Sequence, residues 1–188
     1  MNTRYVVKYR RRREGKTNYK KRIKLLLSKL PLVRFRKGSK TITAQISVFN
    51  PKGDKIILSV NSSELSKYGW NLSKKNLPAA YLTGLLLAKK NNKNKEIKRV
   101  IIDFGIKKPT KGFSGYSFVK GLIDGGMEVL CSQESFPAED RIRGKHIADF
   151  CSSTKKKEQF SKTPESKNIE KIFLDVKNKI ISFENWRK

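Results

Sequence analysis

The stretch from Asn76 to Ala88 constrains the fold more than any other part of the chain. It begins with Asn76-Leu77-Pro78, a common start of a helix, and continues with apolar residues on most sides of that helix. Such a helix is stable only when other elements cover it, so we expect it to lie inside a domain. Gly84 in its middle costs about 1 kcal/mol relative to alanine. We therefore predict a close approach between this helix and a sheet beneath it.

Three runs of alternating apolar and polar residues precede this helix, and period-two alternation is the pattern of a β-strand. Gly38-Ser39 and residues 50–54 provide turns between the runs. The runs therefore predict an antiparallel meander. The residues expected to face the core are Val33 and Phe35 in the first run, Ile42, Ala44, Ile46 and Val48 in the second, and Ile56, Leu58 and Val60 in the third.

Helix and strand patterns alternate after the apolar helix. Residues 89–98 are typical of a solvated turn, and the continuous apolar run over 100–104 is typical of a strand covered on both faces, which we expect to be central. The loop over 105–112 leads to a helix that ends at Gly125-Gly126, and 127–130 suits one more strand. These patterns predict an α/β domain with a mixed sheet and helices on both faces.

The chain has 188 residues, of which 37% are hydrophobic, enough for one good core but marginal for two. We predict a basic arm over residues 1–18, an α/β core domain over 19–150, and a linker with an amphipathic C-terminal helix over 151–188. The apolar stripe of that helix, within 166–182, suits docking on the same domain and docking on a neighbouring protein equally well. The stripe consists of Ile169, Ile172, Phe173, Val176 and Ile180, and Phe183 and Trp186 extend it.

The net charge of the chain indicates its class of partner. There are 44 Lys and Arg against 16 Asp and Glu, a formal charge of +28, far beyond what solubility requires. Nucleic acid is therefore the expected partner. The longest apolar run, 81–88, is well short of the roughly 20 residues that a membrane span needs, and the charged N-terminus does not resemble a secretory signal. We expect no membrane partner and a cytoplasmic location.

The strongest binding signal is a basic arm that contains four consecutive arginines, Arg10 to Arg13. These guanidinium groups repel one another and cannot all pack against protein, so we expect the arm to become ordered on an external polyanion. Residues 1–37 carry fifteen Lys or Arg against the single Glu14, and Tyr5, Tyr9 and Tyr19 offer faces on which unpaired bases can stack. Arginine binds phosphate in a bidentate manner, which favours RNA, but composition alone does not distinguish RNA from DNA.

An amphipathic basic helix is predicted after the arm. Its apolar residues recur at helical spacing, its lysines fall on other faces, and Pro31 ends the pattern. We expect the apolar stripe to dock on its own domain, with an anionic membrane or a partner's groove as alternatives. The stripe consists of Tyr19, Ile23, Leu26, Leu27 and Leu30.

Gly15-Lys16-Thr17 imitates the end of a phosphate-binding P-loop but does not meet the motif. The motif requires a glycine where this chain has Arg10, and no strand precedes it. Nucleotide hydrolysis is therefore not expected. The loop 107–112 before a helix start suits an RNA phosphate, but it also suits an ordinary strand-to-helix turn, and both interpretations stay open.

A metal-dependent nuclease is the enzymatic alternative, because Asp103 follows a buried strand of a mixed sheet. A two-metal site needs several converging carboxylates, yet residues 15–53 contain no Asp or Glu. Asp103 is more simply a hydrogen-bond acceptor at a strand end. Cys131, Cys151 and the lone His146 cannot complete a four-ligand zinc site, so we expect free thiols, no metal and no cofactor. We predict a protein without catalytic residues.

Several motifs are distributed over most of the chain, and the most specific of them is Pro78-Ala79-Ala80-Tyr81-Leu82-Thr83-Gly84. The others are Tyr9 to Tyr19, Lys40 with Ala44-Gln45, Ser62 to Leu65, Tyr68-Gly69-Trp70, Asp103-Phe104-Gly105, Gly121 to Gly126, and Arg143 to Ile147. Together they resemble one family, the universal large-subunit ribosomal protein that binds 5S rRNA, number eighteen in the universal naming, in its archaeal and eukaryotic form.

The resemblance implies a fold like the ribonuclease H motif without its catalysis, a place in the central protuberance of the ribosome, and a structural role. It implies 5S rRNA as the main ligand, with further contacts to large-subunit rRNA and neighbouring ribosomal proteins. The alternative function is an RNA-processing nuclease with a ribonuclease H-like fold. The RNA-binding residues implied by position are Tyr9, Arg10, Arg11, Arg12, Arg13, Lys16, Tyr19, Arg22, Arg34, Arg36, Lys37, Lys40, Lys107, Lys111 and Arg143.

Overall fold

A computed structural model describes residues 6–94, 97–153 and 164–182. Its centre is a five-stranded mixed sheet in the order β3-β2-β1-β4-β5. The first three strands are antiparallel, β4 is parallel to β1, and β5 is parallel to β4. The strands are β1 (Leu32–Lys37), β2 (Ile42–Val48), β3 (Lys55–Asn61), β4 (Arg99–Asp103) and β5 (Glu128–Val129).

The helices of the described residues are connected by short loops and by 3-10 turns over Ser62–Tyr68, Gln133–Ser135 and Pro164–Asn168. No helix in this part of the chain is long and apolar enough to cross a membrane. Cys131 and Cys151 are free thiols, as predicted. The helices are α1 (Arg10–Arg13), α2 (Tyr19–Leu26), α3 (Leu77–Asn94), α4 (Ser114–Asp124), α5 (Glu139–Arg143), α6 (Lys145–Ser153) and α7 (Ile169–Ile181).

The hydrophobic core lies on one face of the sheet. The predicted inward residues of β1 and the first three of β2 are buried there against α3 and α4, which confirms the alternation. The opposite face carries Arg34, Arg36 and Gln45, and α2 approaches it through polar contacts. Helices therefore approach both faces, but only one face is apolar. The buried strand residues are Val33, Phe35, Ile42, Ala44 and Ile46.

The strand over 99–103 is not central, contrary to prediction. It lies between β1 and β5, and β5 is only two residues long and pairs only with Arg99 and Val100. Because the rest of the outer edge of β4 has no neighbouring strand within the described residues, Val100 is its one fully buried residue. The predicted turn over 89–98 is also wrong in its first half, where α3 continues to Asn94. Asn91 is buried there and donates a hydrogen bond to the carbonyl of Ile97 at 2.9 Å. The buried amide group of Asn91 thus has an acceptor within the protein, whereas in a solvated turn it would hydrogen-bond to water.

A register shift between β2 and β3 overturns two predicted core positions. Ile46 pairs with Leu58, but Ser47 pairs with Ile56, so Ile57 has no partner in the ladder. Because one extra residue changes which side chains face the core, Ser47 is buried while Val48 and Ile56 are 40% and 49% exposed. Alternation alone cannot locate such a bulge.

The close approach at Gly84 is real, but its partner is a helix and not the sheet. A Cβ atom on Gly84 would lie 2.2 Å from the carbonyl oxygen of Phe118 in α4. A Cβ atom on Gly121 of α4 would lie 2.1 Å from the carbonyl oxygen of Tyr81 in α3. The two glycines therefore let the backbones of α3 and α4 touch above the sheet.

The C-terminal helix α7 packs on the same domain, one of the two possibilities that its stripe left open. Ile169, Phe173, Val176 and Ile180 are at most 2% exposed and belong to the main core, while Phe183 and Trp186 lie outside the described residues. The ring of Phe173 lies 5.4 Å from that of Tyr81 in α3. Division of the chain after residues 18 and 150 stays a prediction.

Candidate nucleic-acid interface

The arm, α2 and the polar face of the sheet enclose a cleft of about 730 Å³, which we name the arm cleft. Basic side chains from all three elements line it, together with Tyr19 and the carboxylates of Asp54 and Asp103. The structure thus brings together residues that lie far apart in the sequence. The basic residues are Arg11, Lys16, Lys21, Arg22, Arg34 and Arg36.

The arginine run of the arm forms one helical turn, α1, in which every side chain is exposed. The chain then folds back on this turn, since the backbone N–H of Lys16 donates to Arg11 O at 2.9 Å and Arg11 Nε donates to Thr17 Oγ1 at 2.9 Å. Glu14 pairs with Lys16 at 2.7 Å and with Arg10 at 3.6 Å. Arg12 and Arg13 have no ion pair with the described residues, so their guanidinium groups are free to bind an anion.

Of the three tyrosines predicted to stack on bases, Tyr5 lies outside the described residues, and Tyr9 and Tyr19 are neighbours in space. The ring centroids of Tyr9 and Tyr19 lie 5.5 Å apart with planes inclined by 57°, and Tyr9 is 76% exposed. Since one face of this pair is open beside the arginines, it offers a stacking surface for an unpaired base.

Helix α2 presents a different side to the domain from the one predicted. Asn18 caps its first turn, and Lys21, Arg22 and Leu25 turn toward the arm cleft. Of the stripe that was predicted to dock, Ile23 and Leu27 are 60% and 75% exposed, while Tyr19, Leu26 and Leu30 are half-buried. The physical reason is that this side of the sheet is polar, and the carboxylate of Asp54 and the carbonyl of Gly105 accept hydrogen bonds from Arg22 and Lys21 of α2.

Asp54, in the turn between β2 and β3, joins two arginines of the arm cleft. Its side chain is 7% exposed, Arg22 Nη2 donates to Oδ1 at 2.8 Å, and Arg34 Nη2 donates to Oδ2. Burial lowers the pKa of Arg34, and the charge of Arg22 lowers it further. The shared carboxylate offsets this repulsion and holds both guanidinium groups in place.

Asp103 at the end of β4 is held by Arg36 of β1. Arg36 Nη2 lies 2.6 Å from Oδ2, Arg36 Nη1 donates to the carbonyl of Asp103 at 2.8 Å, and the N–H of Gly105 donates to Oδ1 at 2.7 Å. Burial raises the pKa of Asp103, but the hydrogen bonds from Arg36 and Gly105 outweigh it and lower the pKa below its usual range. Asp103 is therefore a strand-end acceptor, as predicted. Within the described ranges, no three His, Cys, Asp or Glu side chains are grouped to hold a metal ion.

The remaining predicted residues lie outside the arm cleft. Lys37 and Lys107 line a second, shallower cleft of about 430 Å³. Lys40 is exposed in the turn after β1, and Lys111 is exposed with its Nζ 3.9 Å from Glu134. Arg143 pairs with Glu139 at 3.1 Å and borders a separate depression beside Tyr81. The structure thus gathers most predicted residues at the arm and β1 but leaves Arg143 apart.

Two residues of the arm cleft were missed by the sequence reasoning. Lys21 was predicted only to lie off the apolar stripe of its helix, yet its Nζ donates to the carbonyl of Gly105 at 3.1 Å. Asp54 was counted only as part of a turn. One signal was available for Asp54, since it is the first acidic residue after Glu14 and ends a long stretch without carboxylates.

Comparisons with known proteins match most of the region that forms the arm cleft. The family described as "Ribosomal large subunit proteins 60S L5, and 50S L18" matches residues 3–100. The chain is also similar to the large ribosomal subunit protein uL18 of Korarchaeum cryptofilum (strain OPF8), with 45% identity over 172 residues. That match covers 92% of this chain and 83% of the archaeal protein.

Proposed function

Because the chain belongs to the family of the ribosomal large subunit proteins 60S L5 and 50S L18, we propose that it binds 5S rRNA and helps to attach it to large-subunit rRNA. Family membership makes the protein a constituent of the large ribosomal subunit, with a role in translation. The central protuberance is its proposed location, with neighbouring ribosomal proteins as further partners and the cytoplasm as the compartment.

The observation that carries the proposal is the arm cleft with the exposed arginine turn beside it. Guanidinium groups of α1, α2 and β1 converge from three separate elements. Converging cations that lie next to an open aromatic pair suit a folded RNA, whose phosphates and unpaired bases are both accessible. The proposed RNA-binding residues are Tyr9, Arg10, Arg11, Arg12, Arg13, Lys16, Tyr19, Arg22, Arg34, Arg36, Lys37, Lys40, Lys107, Lys111 and Arg143.

The proposed role is structural, without a chemical reaction. The mixed sheet, with an antiparallel meander followed by two parallel strands, supports a ribonuclease H-like arrangement. Asp103, which the nuclease alternative would use as a metal ligand, is occupied by Arg36 and the N–H of Gly105. A metal ion at Asp103 would have to compete with that guanidinium group.

Titration with 5S rRNA and with an unrelated RNA of equal length tests the binding proposal. Both are measured at about 0.2 M salt, where non-specific binding weakens steeply. We expect clear preference for 5S rRNA. Equal affinity for the two RNAs would contradict the 5S assignment, and metal-dependent RNA cleavage that Asp103→Ala abolishes would establish the nuclease instead.

The contribution of the arm is tested by replacing all four arginines from Arg10 to Arg13 with alanine. We expect unchanged thermal unfolding, weaker RNA binding, and a salt slope reduced by roughly 0.7 to 0.9 for each phosphate that the arm no longer neutralises. A control with the same loss of charge replaces four exposed lysines elsewhere, Lys98, Lys167, Lys171 and Lys179. If both variants change the slope equally, the arm contributes only general charge.

A further inference from the structure

Gln45 is the side-chain amide that the sheet contributes to the arm cleft. It lies on β2, is half-buried, and belongs to the Ala44-Gln45 motif, to which the proposed function assigns no role. Its partner in the sheet register is Arg34 of β1, one of the guanidinium groups of the same cleft. A neutral polar side chain therefore stands beside the cations that are proposed to bind phosphate.

Gln45 has hydrogen-bonding capacity that the protein leaves unused. Its Nε2 donates to Ser59 Oγ of β3 at 3.4 Å, near the outer limit of a hydrogen bond. Among the described residues, none donates a hydrogen bond to its Oε1. A side-chain amide offers two N–H donors and a carbonyl oxygen with two lone pairs. Both a donor and an acceptor of Gln45 are thus available to a ligand in the arm cleft.

The neighbouring amides differ from Gln45 because local structure occupies them. Asn18, which also lines the arm cleft, uses its Oδ1 to cap α2. Asn61 lies one pair further along the β2–β3 ladder, accepts from the N–H of Ser63 at 2.9 Å and donates to Thr43 Oγ1 at 3.2 Å. The long contact with Ser59 is the only side-chain bond of Gln45 within the described ranges, so its place in the cleft has little structural use.

An amide contributes a different kind of contact from an arginine or a lysine. Cations that bind phosphate fix the position of a nucleic acid, whereas hydrogen bonds to base edges carry sequence information. A glutamine can bond a base edge through adjacent donor and acceptor atoms, and unpaired RNA bases expose such edges. The volume of about 730 Å³ is within the range of about 300 to 1,000 Å³ that is typical of ligand sites. Tyr19 lines the same cleft and offers an aromatic face for a base.

We propose that Gln45 binds the edge of an unpaired RNA base in the arm cleft and thereby sets part of the base preference of the protein. Its Oε1 accepts a hydrogen bond from the base, and its Nε2 donates one. The proposal rests on the RNA-binding function proposed above and adds a residue that reads a base to those that bind phosphate.

The first test compares Gln45→Met with Gln133→Met, two substitutions that remove the same amide and keep the side-chain length. Gln133 is exposed in a 3-10 turn and does not line the arm cleft. Affinities for the single-stranded homopolymers poly(A), poly(C) and poly(U) are measured over a series of salt concentrations. We expect the ratio between the tightest and the weakest affinity to shrink about 5-fold or more in Gln45→Met and to stay at the wild-type value in Gln133→Met.

The salt slope separates a base contact from a phosphate contact. An amide neutralises no phosphate, so Gln45→Met should keep the wild-type slope for every homopolymer. An unchanged ratio between homopolymers would overturn the proposal, and so would a ratio that shrinks only together with the slope.

A third variant, Ser59→Ala, separates base reading from a structural role. It removes the same cross-strand hydrogen bond as Gln45→Met but leaves the amide in the cleft. We expect Ser59→Ala to keep the wild-type ratio between homopolymers, and thermal unfolding of both variants to be close to that of the wild type. Equal shrinkage of the ratio in Ser59→Ala and Gln45→Met would refute a direct contact between Gln45 and a base.

Titration of the same variants with 5S rRNA and with an unrelated RNA distinguishes this proposal from the proposed function. We expect Gln45→Met to reduce the preference for 5S rRNA. If the wild type prefers 5S rRNA but Gln45→Met changes neither this preference nor the homopolymer ratio, the role of Gln45 alone is refuted. If the homopolymer ratio depends on Gln45 while the wild type does not prefer 5S rRNA, base reading stands and only the 5S assignment falls.

Discussion

The guanidinium group of Arg22 lies 2.8 Å from the carboxylate of Asp54, which ties helix α2 to the turn between β2 and β3. The same carboxylate accepts a hydrogen bond from Arg34 of β1. No residue of α2 is fully buried, so this polar junction, rather than apolar packing, positions the helix on the sheet. Because the arm leads directly into α2, the junction also positions the arm.

Replacing Asp54 by asparagine should loosen this junction. Two arginines then lose a charged acceptor, and hydrogen bonds to charged groups are worth about 1.5 to 3 kcal/mol each when buried. Since both arginines are partly exposed, we expect the free energy of unfolding to fall by about 1 to 3 kcal/mol. Trypsin should also cleave the arm and α2 faster in the free protein. Asp140→Asn is the control, because Asp140 forms an exposed pair with Lys145 at 3.6 Å, and equal effects of the two changes would refute the junction.

Replacing Gly84 by alanine should destabilise the fold, although alanine favours helices. The new methyl group would lie 2.2 Å from the carbonyl oxygen of Phe118, a backbone atom that cannot rotate away. Overpacking typically costs about 1 to 3 kcal/mol, which exceeds the gain of about 1 kcal/mol in helix propensity. Urea unfolding measures the difference. In the control Gly38→Ala, the methyl group would lie 3.2 Å from Thr41 O, so a smaller loss is expected there.

The contribution of α7 to the core can be measured with two adjacent isoleucines. Ile180 is 0% exposed and Ile181 is 43% exposed, so the same substitution by alanine removes the same atoms from two environments. We expect Ile180→Ala to cost about 2 to 5 kcal/mol of unfolding free energy and Ile181→Ala less than about 1 kcal/mol. Equal costs in chemical denaturation would mean that α7 does not pack on the domain in solution.

The ion pair between Arg36 and Asp103 should make stability depend on pH. The folded pKa of Asp103 lies below the ordinary value of 3.8, so its contribution is present above that value and is lost as the pH falls through the folded pKa. The wild type should exceed Asp103→Asn in unfolding free energy at pH 7 and lose that advantage in acid.

The comparison requires unfolding curves of both proteins between about pH 7 and pH 2, so that the range extends well below 3.8. Glu128→Gln is the matched control, since Glu128 pairs with Arg99 at an exposed edge where both side chains are at least 60% exposed. Its difference from the wild type should be small and nearly independent of pH. A pH-independent difference for Asp103→Asn would contradict the depressed pKa.

Much of the fold could be predicted because each element of the chain has a local period. The alternation of β1 and the all-round apolar character of α3 depend only on residues near in sequence. The bulge that exposes Val48 and Ile56 could not be predicted, because it depends on the pairing of two strands. The outward turn of Ile23 depends on the charges of the facing sheet surface, which the sequence of α2 does not contain.

By itself, the sequence determined the class of partner, the positions of most helices and strands, and the family. These follow from net charge, from hydrophobic period and from contiguous motifs, all of which are properties of the unfolded chain. Only the tertiary structure decided that Asp54 joins Arg22 to Arg34, that Asp103 is held by Arg36, and that Lys37 and Lys107 line one cleft. Electrostatic pairing depends on distances of a few ångströms between residues far apart in sequence, and those distances exist only after folding.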